Sequence, residues 1–343
     1  MLRLNLGFNY TQAHFDTLMK LLDLSNFYND IEISSIYGSP GVQNPLGSVR
    51  ESYRESTPSY AEWMDWAHAI RSRGVEINLT INSMRMPREN LFVRYMKDIS
   101  SVVDNFIIAH PGIIDMVHKH VPHAKIIVST IMNVHTLPQV QWIKNNWPQV
   151  VRICPALEKN RDFDWLRQAN YIIPLELLAN EFCSMGGVTC EGLYRQACYM
   201  TQSFGGSDWC ARDKCMEQRK ADPSAWLRSY FILPQWMHTY EVETGVEHFK
   251  ITGRTHGPEY LKYIAETYLS QKATGNLLAL WGQLEATMPD ANQTEEQKKA
   301  LETANIPIEL LDDRYYKYCD VNACGHTCRR CEATTEELKY GKR

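Results

Sequence analysis

Short runs of apolar and β-branched residues recur along this chain with amphipathic stretches between them, and that alternation limits the fold more than any other feature. The runs are Leu2–Phe8, Asp30–Ile36, Val75–Ile81, Asn105–Ala109, Lys125–Thr130, Val150–Cys154, Tyr171–Leu177 and Glu247–Thr252. Most are separated by segments with helical spacing of apolar residues: His14–Leu24, Tyr60–Arg73, Leu91–Val102, Ile113–His120, Leu137–Asn146 and Asp162–Ala169. Strands that alternate with helices pair in parallel, because each crossover is long enough to hold a helix. Eight such strands predict an α/β fold closed as a TIM-like (β/α)8 barrel. An open doubly wound sheet is the rival, and no G-x-G-x-x-G loop follows any strand to favour it.

The chain has 343 residues, 44% hydrophobic and 22% charged, which suits one large domain with an appendage. A net charge of −4 gives no overall attraction to nucleic acid. No apolar run is long enough to span a membrane. The start, MLRLNLGFNY, lacks the pattern of a signal peptide, so a cytoplasmic location is expected. After the seventh run the rhythm breaks, and residues 183–246 form an insertion before the eighth strand. Helices are predicted over Glu259–Lys272 and Asn276–Thr287, followed by a polar linker, Asp290–Lys299.

Ten cysteines are many for a chain expected in a reducing compartment, where clustered thiols point to metal or catalysis rather than disulfides. Apart from Cys154 they form two groups. The first includes Cys183, Cys190, Cys198, Cys210 and Cys215, with Gly186 and Gly187 inside the first pair. Glycines let a backbone wrap a bulky cluster and point amides at sulfur. Four thiolates at Cys183, Cys190, Cys210 and Cys215 suit an iron–sulfur centre, and zinc is the generic competitor. Gaps of six and four residues, rather than the two of a zinc knuckle, tilt the choice toward iron–sulfur. The second group, YCDVNACGHTCRRC, packs Cys319, Cys324, Cys328 and Cys331 around His326. It predicts a second metal site, either iron–sulfur or structural zinc. Alternatively, one of its thiols completes the first site.

In a parallel barrel, function collects where strands end. Polar residues near those ends are Asn9, Tyr37, Asn82, His110, Asn133, Asn160, Glu176, Asn180 and Arg254. Glu176 and Glu181, beside the cysteine loop, are the acid–base candidates. Arg254 and Lys250 at the end of the eighth strand are candidates for holding an anionic group. His118, His120 and His123 fall at a helix end before the fifth strand, where the helix dipole already favours them. Cys154 is expected to be a buried free thiol. No G-x-S-x-G, H-E-x-x-H or phosphate-loop pattern occurs.

The stretch from Tyr171 to Tyr260 resembles the signature region of peptidase family U32. The resemblance rests on a strand entering a Glu-containing turn, on Cys183 and Cys190 followed by Cys210 and Cys215, and on Lys250–Ile251–Thr252–Gly253–Arg254 with Pro258 and Tyr260 after it. Tyr37–Gly38–Ser39, ending the second strand, agrees in layout. The resemblance covers roughly residues 1–270. It implies a TIM-like barrel over 1–270 carrying a [4Fe-4S] cluster in the loop 183–215; residues 271–343, beyond the resemblance, read as a helical, cysteine-rich extension. It further implies oxygen-independent hydroxylation or a related modification of an aromatic, RNA or peptide substrate, with a partner subunit as a further expectation. A non-catalytic iron–sulfur or electron-transfer subunit is the alternative, and a peptidase the next.

Overall fold

The computed structural model of the chain describes residues 1–39, 58–82, 86–181, 219, 222, 224–253, 256–282, 306–311, 323 and 327–340. Its strands are β1 (Leu2–Gly7), β2 (Ile31–Gly38), β3 (Glu76–Ile81), β4 (Asn105–Ile108), β5 (Lys125–Val128), β6 (Val150–Ile153), β7 (Glu176–Leu178) and β8 (His248–Ile251). Between them run α1 (Gln12–Ser25), α2 (Tyr60–Arg71), α3 (Glu89–Ile99), α4 (Pro111–His120), α5 (Leu137–Asn146) and α6 (Phe163–Ile172). A short α7 (Ser224–Leu227) and α8 (Met237–Thr244) precede β8, and α9 (Pro258–Leu269) follows it. The last helix is α10 (Arg330–Tyr340).

All strand pairs are parallel, in the order β6-β5-β4-β3-β2-β1-β8-β7. The two ends of that order meet through a parallel bridge between Ile153 and Leu175. There the Ile153 amide donates to the Pro174 carbonyl at 3.0 Å. The result is the nearly closed TIM-like barrel that the alternation predicts.

Local chemistry sets the helix starts. Ser59 and Glu62 close a reciprocal capping box on α2, and Thr136 and Gln139 do the same on α5. Pro111 begins α4 behind the His110 cap, whose Nδ1 accepts from the Gly112 amide at 3.0 Å. Two boundaries differ from expectation. The run Tyr171–Leu177 is not one strand: α6 continues to Ile172, and β7 begins only at Glu176. Trp165, Leu166 and Ala169 keep helical spacing on the buried side while Tyr171 is 94% exposed, and Pro174 then halts the helix. The predicted helix Asn276–Thr287 is instead a 3-10 turn over Leu277–Trp281, closed by Gly282 at φ 62°. All five residues of that turn are buried, so it lacks the solvent face an amphipathic helix requires. Residues 283–287 lie outside the described residues.

Alternate residues along the strands face opposite ways. Outward side chains such as Leu4, Ile77, Leu79, Phe106, Ile126 and Phe249 join one apolar shell with the inner faces of the helices. Leu277, Leu278, Leu280, Trp281, Ile306 and Ile308 belong to the same shell, so described residues beyond 270 pack on the barrel. A fully buried side chain of this kind contributes about 1.5–3 kcal/mol relative to exposure. No helix among the described residues is long and apolar enough to cross a membrane.

Candidate active site at the C-terminal mouth of the barrel

The exit of β7 is held by Asn180, which is 1% exposed. Its Nδ2 donates to the carbonyls of Thr252 and Leu280, each at 3.1 Å, and lies 3.0 Å from the Tyr260 hydroxyl. Its Oδ1 accepts from the Thr252 amide at 2.6 Å. One carboxamide thus fixes the ends of β7 and β8 and the 3-10 turn together. Asn160 adds a second clasp, donating to the carbonyls of Leu178 and Tyr230 at 2.8 Å each. The Ile232 amide donates to the Ala179 carbonyl at 2.7 Å. The insertion that starts after Glu181 therefore departs from, and is retied to, the same mouth. Both asparagines, singled out from their strand-end positions, are structural ties.

Across the barrel, on β3 and after β3 and β5, the picture differs. Thr80 Oγ1, Asn82 Oδ1 and Asn133 Oδ1 are buried and have no hydrogen-bond partner among the described residues. Asn133 sits at φ 62°, a left-handed conformation that asparagine tolerates better than most residues. With His110 between them, Asn82 and Asn133 follow β3 and β5, so three successive strand–helix loops present polar groups at the mouth. Cys154, at the end of β6, is fully buried, and burial pushes its thiol up to about 12. The expected buried free cysteine is what the structure shows, and the shift disfavours the thiolate a nucleophile needs.

Glu176 does not sit at the mouth. It opens β7 and points into the barrel, fully buried. Asn5 Nδ2 donates to both carboxylate oxygens at 3.1 Å. Lys250 Nζ lies 3.7 Å and Arg152 Nη1 3.9 Å from the carboxylate. Burial acts to raise this carboxyl, but Lys250, Arg152, His248 and the Asn5 amide outweigh it and hold it below the usual carboxylate range. Arg152 also donates to Glu76 at 3.0 Å and to His248 Nδ1 at 2.8 Å. Burial, with Arg152 beside it, pushes His248 down to about 4, so the ring is neutral and Nδ1 accepts. Asn105 links Glu76 to Asn78. Lys250 lies 4.0 Å above the Tyr37 ring.

Apolar periodicity does not reveal this interior network, because the strands read as apolar runs. The signal was present as a polar residue at alternate positions, as in Glu76–Asn78–Thr80 and His248–Lys250. Glu181 stands apart from Glu176, half-buried beyond the end of β7. Its charge reaches Tyr260, adding to the burial that raises that phenol.

The Lys250–Ile251–Thr252–Gly253 motif has a structural account. Lys250 is the counter-charge to Glu176. Gly253 has φ 118°, and a Cβ there would meet the Tyr260 ring at 2.2 Å, so only glycine fits. Pro258 begins α9, and the Tyr260 hydroxyl donates to the Leu280 carbonyl at 2.7 Å. Arg254 lies outside the described residues. So do Cys183, Cys190, Cys210, Cys215, Cys319 and Cys324.

Cys328 and Cys331 are described, partly buried, and not joined in a disulfide. Cys331 lies on α10, which packs against α7. Arg228, just after α7, donates to Glu332 at 2.8 Å and to Asp222 at 2.8 Å. Burial lowers its pKa, but those carboxylates, with Cys331 contributing, raise it overall. The structure therefore brings Cys331 against the return of the segment that carries the first cysteine group. His118 and His120 bond different residues, Gln149 and Glu89, and do not converge. No cluster of metal-ligating side chains occurs among the described residues.

A parallel eight-stranded barrel with polar strand–helix loops at one mouth defines an α/β-barrel protein of the TIM type. Residues 47–162 match the model of peptidase family U32. The matched stretch supplies β3 to β6, with Asn82, His110 and Asn133, rather than the cysteine region that carries the resemblance read from sequence. Among solved structures, the chain is similar to the U32 peptidase Mk0906, at 12% identity over 59% of this chain and 78% of that one, with a TM-score of 0.42. It is also similar to dihydropteroate synthase from Anaplasma phagocytophilum, at 11% identity over 78% and 98%, with a TM-score of 0.33. Among curated proteins nothing matches.

Proposed function

We propose that this chain is an iron–sulfur barrel enzyme that modifies its substrate at the C-terminal mouth, by oxygen-independent hydroxylation or a related reaction, in a reducing compartment. The observation that carries this reading is the docking of the cysteine-bearing helix α10 on α7, through Arg228 and Glu332, where the first cysteine segment returns to the barrel. Thiols gathered beside a guanidinium are favoured as thiolates, the donors that iron–sulfur cores require. In this reading Cys183, Cys190, Cys210 and Cys215 hold a [4Fe-4S] cluster, while the thiols around Cys328 and Cys331 hold a second cluster or a zinc. A cluster so held supplies one-electron chemistry. The chain's own polar groups at the mouth, Thr80, Asn82 and Asn133, orient the substrate, and Asn180 keeps the mouth rigid. Glu181 and Arg254 remain the candidates for proton transfer and anion binding. Glu176, tied into the interior network, serves better as a structural counter-charge.

Anaerobic purification with iron and sulfide analysis tests the proposal. About four irons and four sulfides per cluster are expected, with one cluster's worth lost in Cys183→Ser. Colourless protein with stoichiometric zinc and no iron overturns it. A peptidase reading gains no support from Cys154, whose thiol is held protonated.

A further inference from the structure

The N-terminal mouth of a parallel barrel is ordinarily filled by side chains and concerns stability. Here it opens as a cup of about 700 Å³, well within the range that small ligands occupy. The Arg152 guanidinium, its side chain only 7% exposed, forms part of the lining. Arg3, Arg73 and Lys125 also line the cup, against the carboxylates of Glu32 and Glu76. Arg3 pairs with Glu32 at 3.3 Å and Glu247 at 3.6 Å, and Arg73 pairs with Asp23 at 2.5 Å. Arg152 is matched by Glu76. Lys125 is different: it opens β5, is exposed, and makes no ion pair among the described residues. Lys125 is in register with Asn105, whose amide binds the Glu76 that holds Arg152. Lys125 and Arg152 thus line the same cup, one an exposed ammonium and the other a buried guanidinium.

We infer that this cup binds a small anion carrying a phosphate or carboxylate group, held between Lys125 and Arg152. The carboxylates of Asp23, Glu32 and Glu247, each more than two-fifths exposed, would repel an extended polyanion. That favours a small ligand over nucleic acid. The site is separate from the C-terminal mouth and does not rest on the iron–sulfur reading, so either can fail alone.

Calorimetric titration of the full chain with inorganic phosphate, and separately with succinate, at constant ionic strength provides the test. Saturable one-to-one binding of at least one is expected, weakened about tenfold by Lys125→Gln and unchanged by Lys262→Gln on α9. Which anion binds identifies the acidic group. In a proton NMR titration, the bound anion should move the His248 midpoint upward, because it adds negative charge beside the ring. Absence of binding by both anions, or full-strength binding by Lys125→Gln, overturns the proposal.

Discussion

The two faces of the barrel strands solve opposite problems. Outward residues such as Leu79, Phe106 and Phe249 are held by burial against the helices in one continuous apolar shell. Inward residues include Asn5, Glu76, Asn78, Asn105, Arg152, Glu176, His248 and Lys250, joined by hydrogen bonds and ion pairs. The only separate apolar cluster among the described residues is small, with Tyr37, Ile107 and Ile127 at its centre. Barrels of this type more often fill that space with bulky branched side chains. The difference teaches where tolerance lies. The shell is non-directional and accepts changes that conserve volume. The interior is directional, and each buried charge depends on named partners.

The largest expected effect comes from stranding those partners. Glu176→Leu leaves Lys250 and Arg152 facing an apolar group and should cost roughly 3–5 kcal/mol in urea unfolding. Adding Lys250→Met should recover part of the loss, since removing both members of a buried pair is less damaging than removing one. In the shell, Leu79→Ala should cost about 2–5 kcal/mol, with no comparable rescue by a second deletion. If the interior double variant is no better than the single one, the contrast between the two faces is wrong.

An intermediate effect concerns acid. His248 titrates near 4 in the folded chain and near 6.5 when unfolded, so as pH falls the unfolded state takes up the proton first. Stability should therefore drop by about 2 kcal/mol between pH 7 and pH 5, and His248→Gln should remove most of that drop. Glu176 contributes in the same direction at lower pH. Its folded value is depressed, so its stabilisation is present above the ordinary carboxylate range and is lost as pH falls through the folded value. Equal acid sensitivity in wild type and the His248 variant would exclude this assignment. The smallest effect belongs to Ser35, whose buried hydroxyl has no partner among the described residues. Ser35→Ala should be neutral or stabilising by up to about 1 kcal/mol, and a clear loss would show that the hydroxyl is satisfied in solution.

Much of the scaffold was legible locally. The alternation of apolar strand runs with helically spaced segments announced the elements, because periodicity depends on residues a few positions apart. Tyr171–Leu177 misled because an apolar run before proline looks the same whether it ends a helix or begins a strand. Cys154 is legible as a buried thiol, because it closes an apolar strand. Glu176 is legible as an acidic residue beside the cysteine loop, but nothing near it in sequence shows Asn5 or Lys250 beside it.

The sequence by itself determined the parallel barrel and concentrated the thiols in two groups. Only the tertiary structure decided that Glu176 is a counter-charge and that Asn180 is a tie. It alone set α10 against α7 and opened the N-terminal mouth. The reason is distance along the chain: Asn5 and Glu176 are 171 positions apart, and Arg152 and Glu76 are 76 apart. Such partnerships exist only once the barrel closes, and no local pattern encodes them.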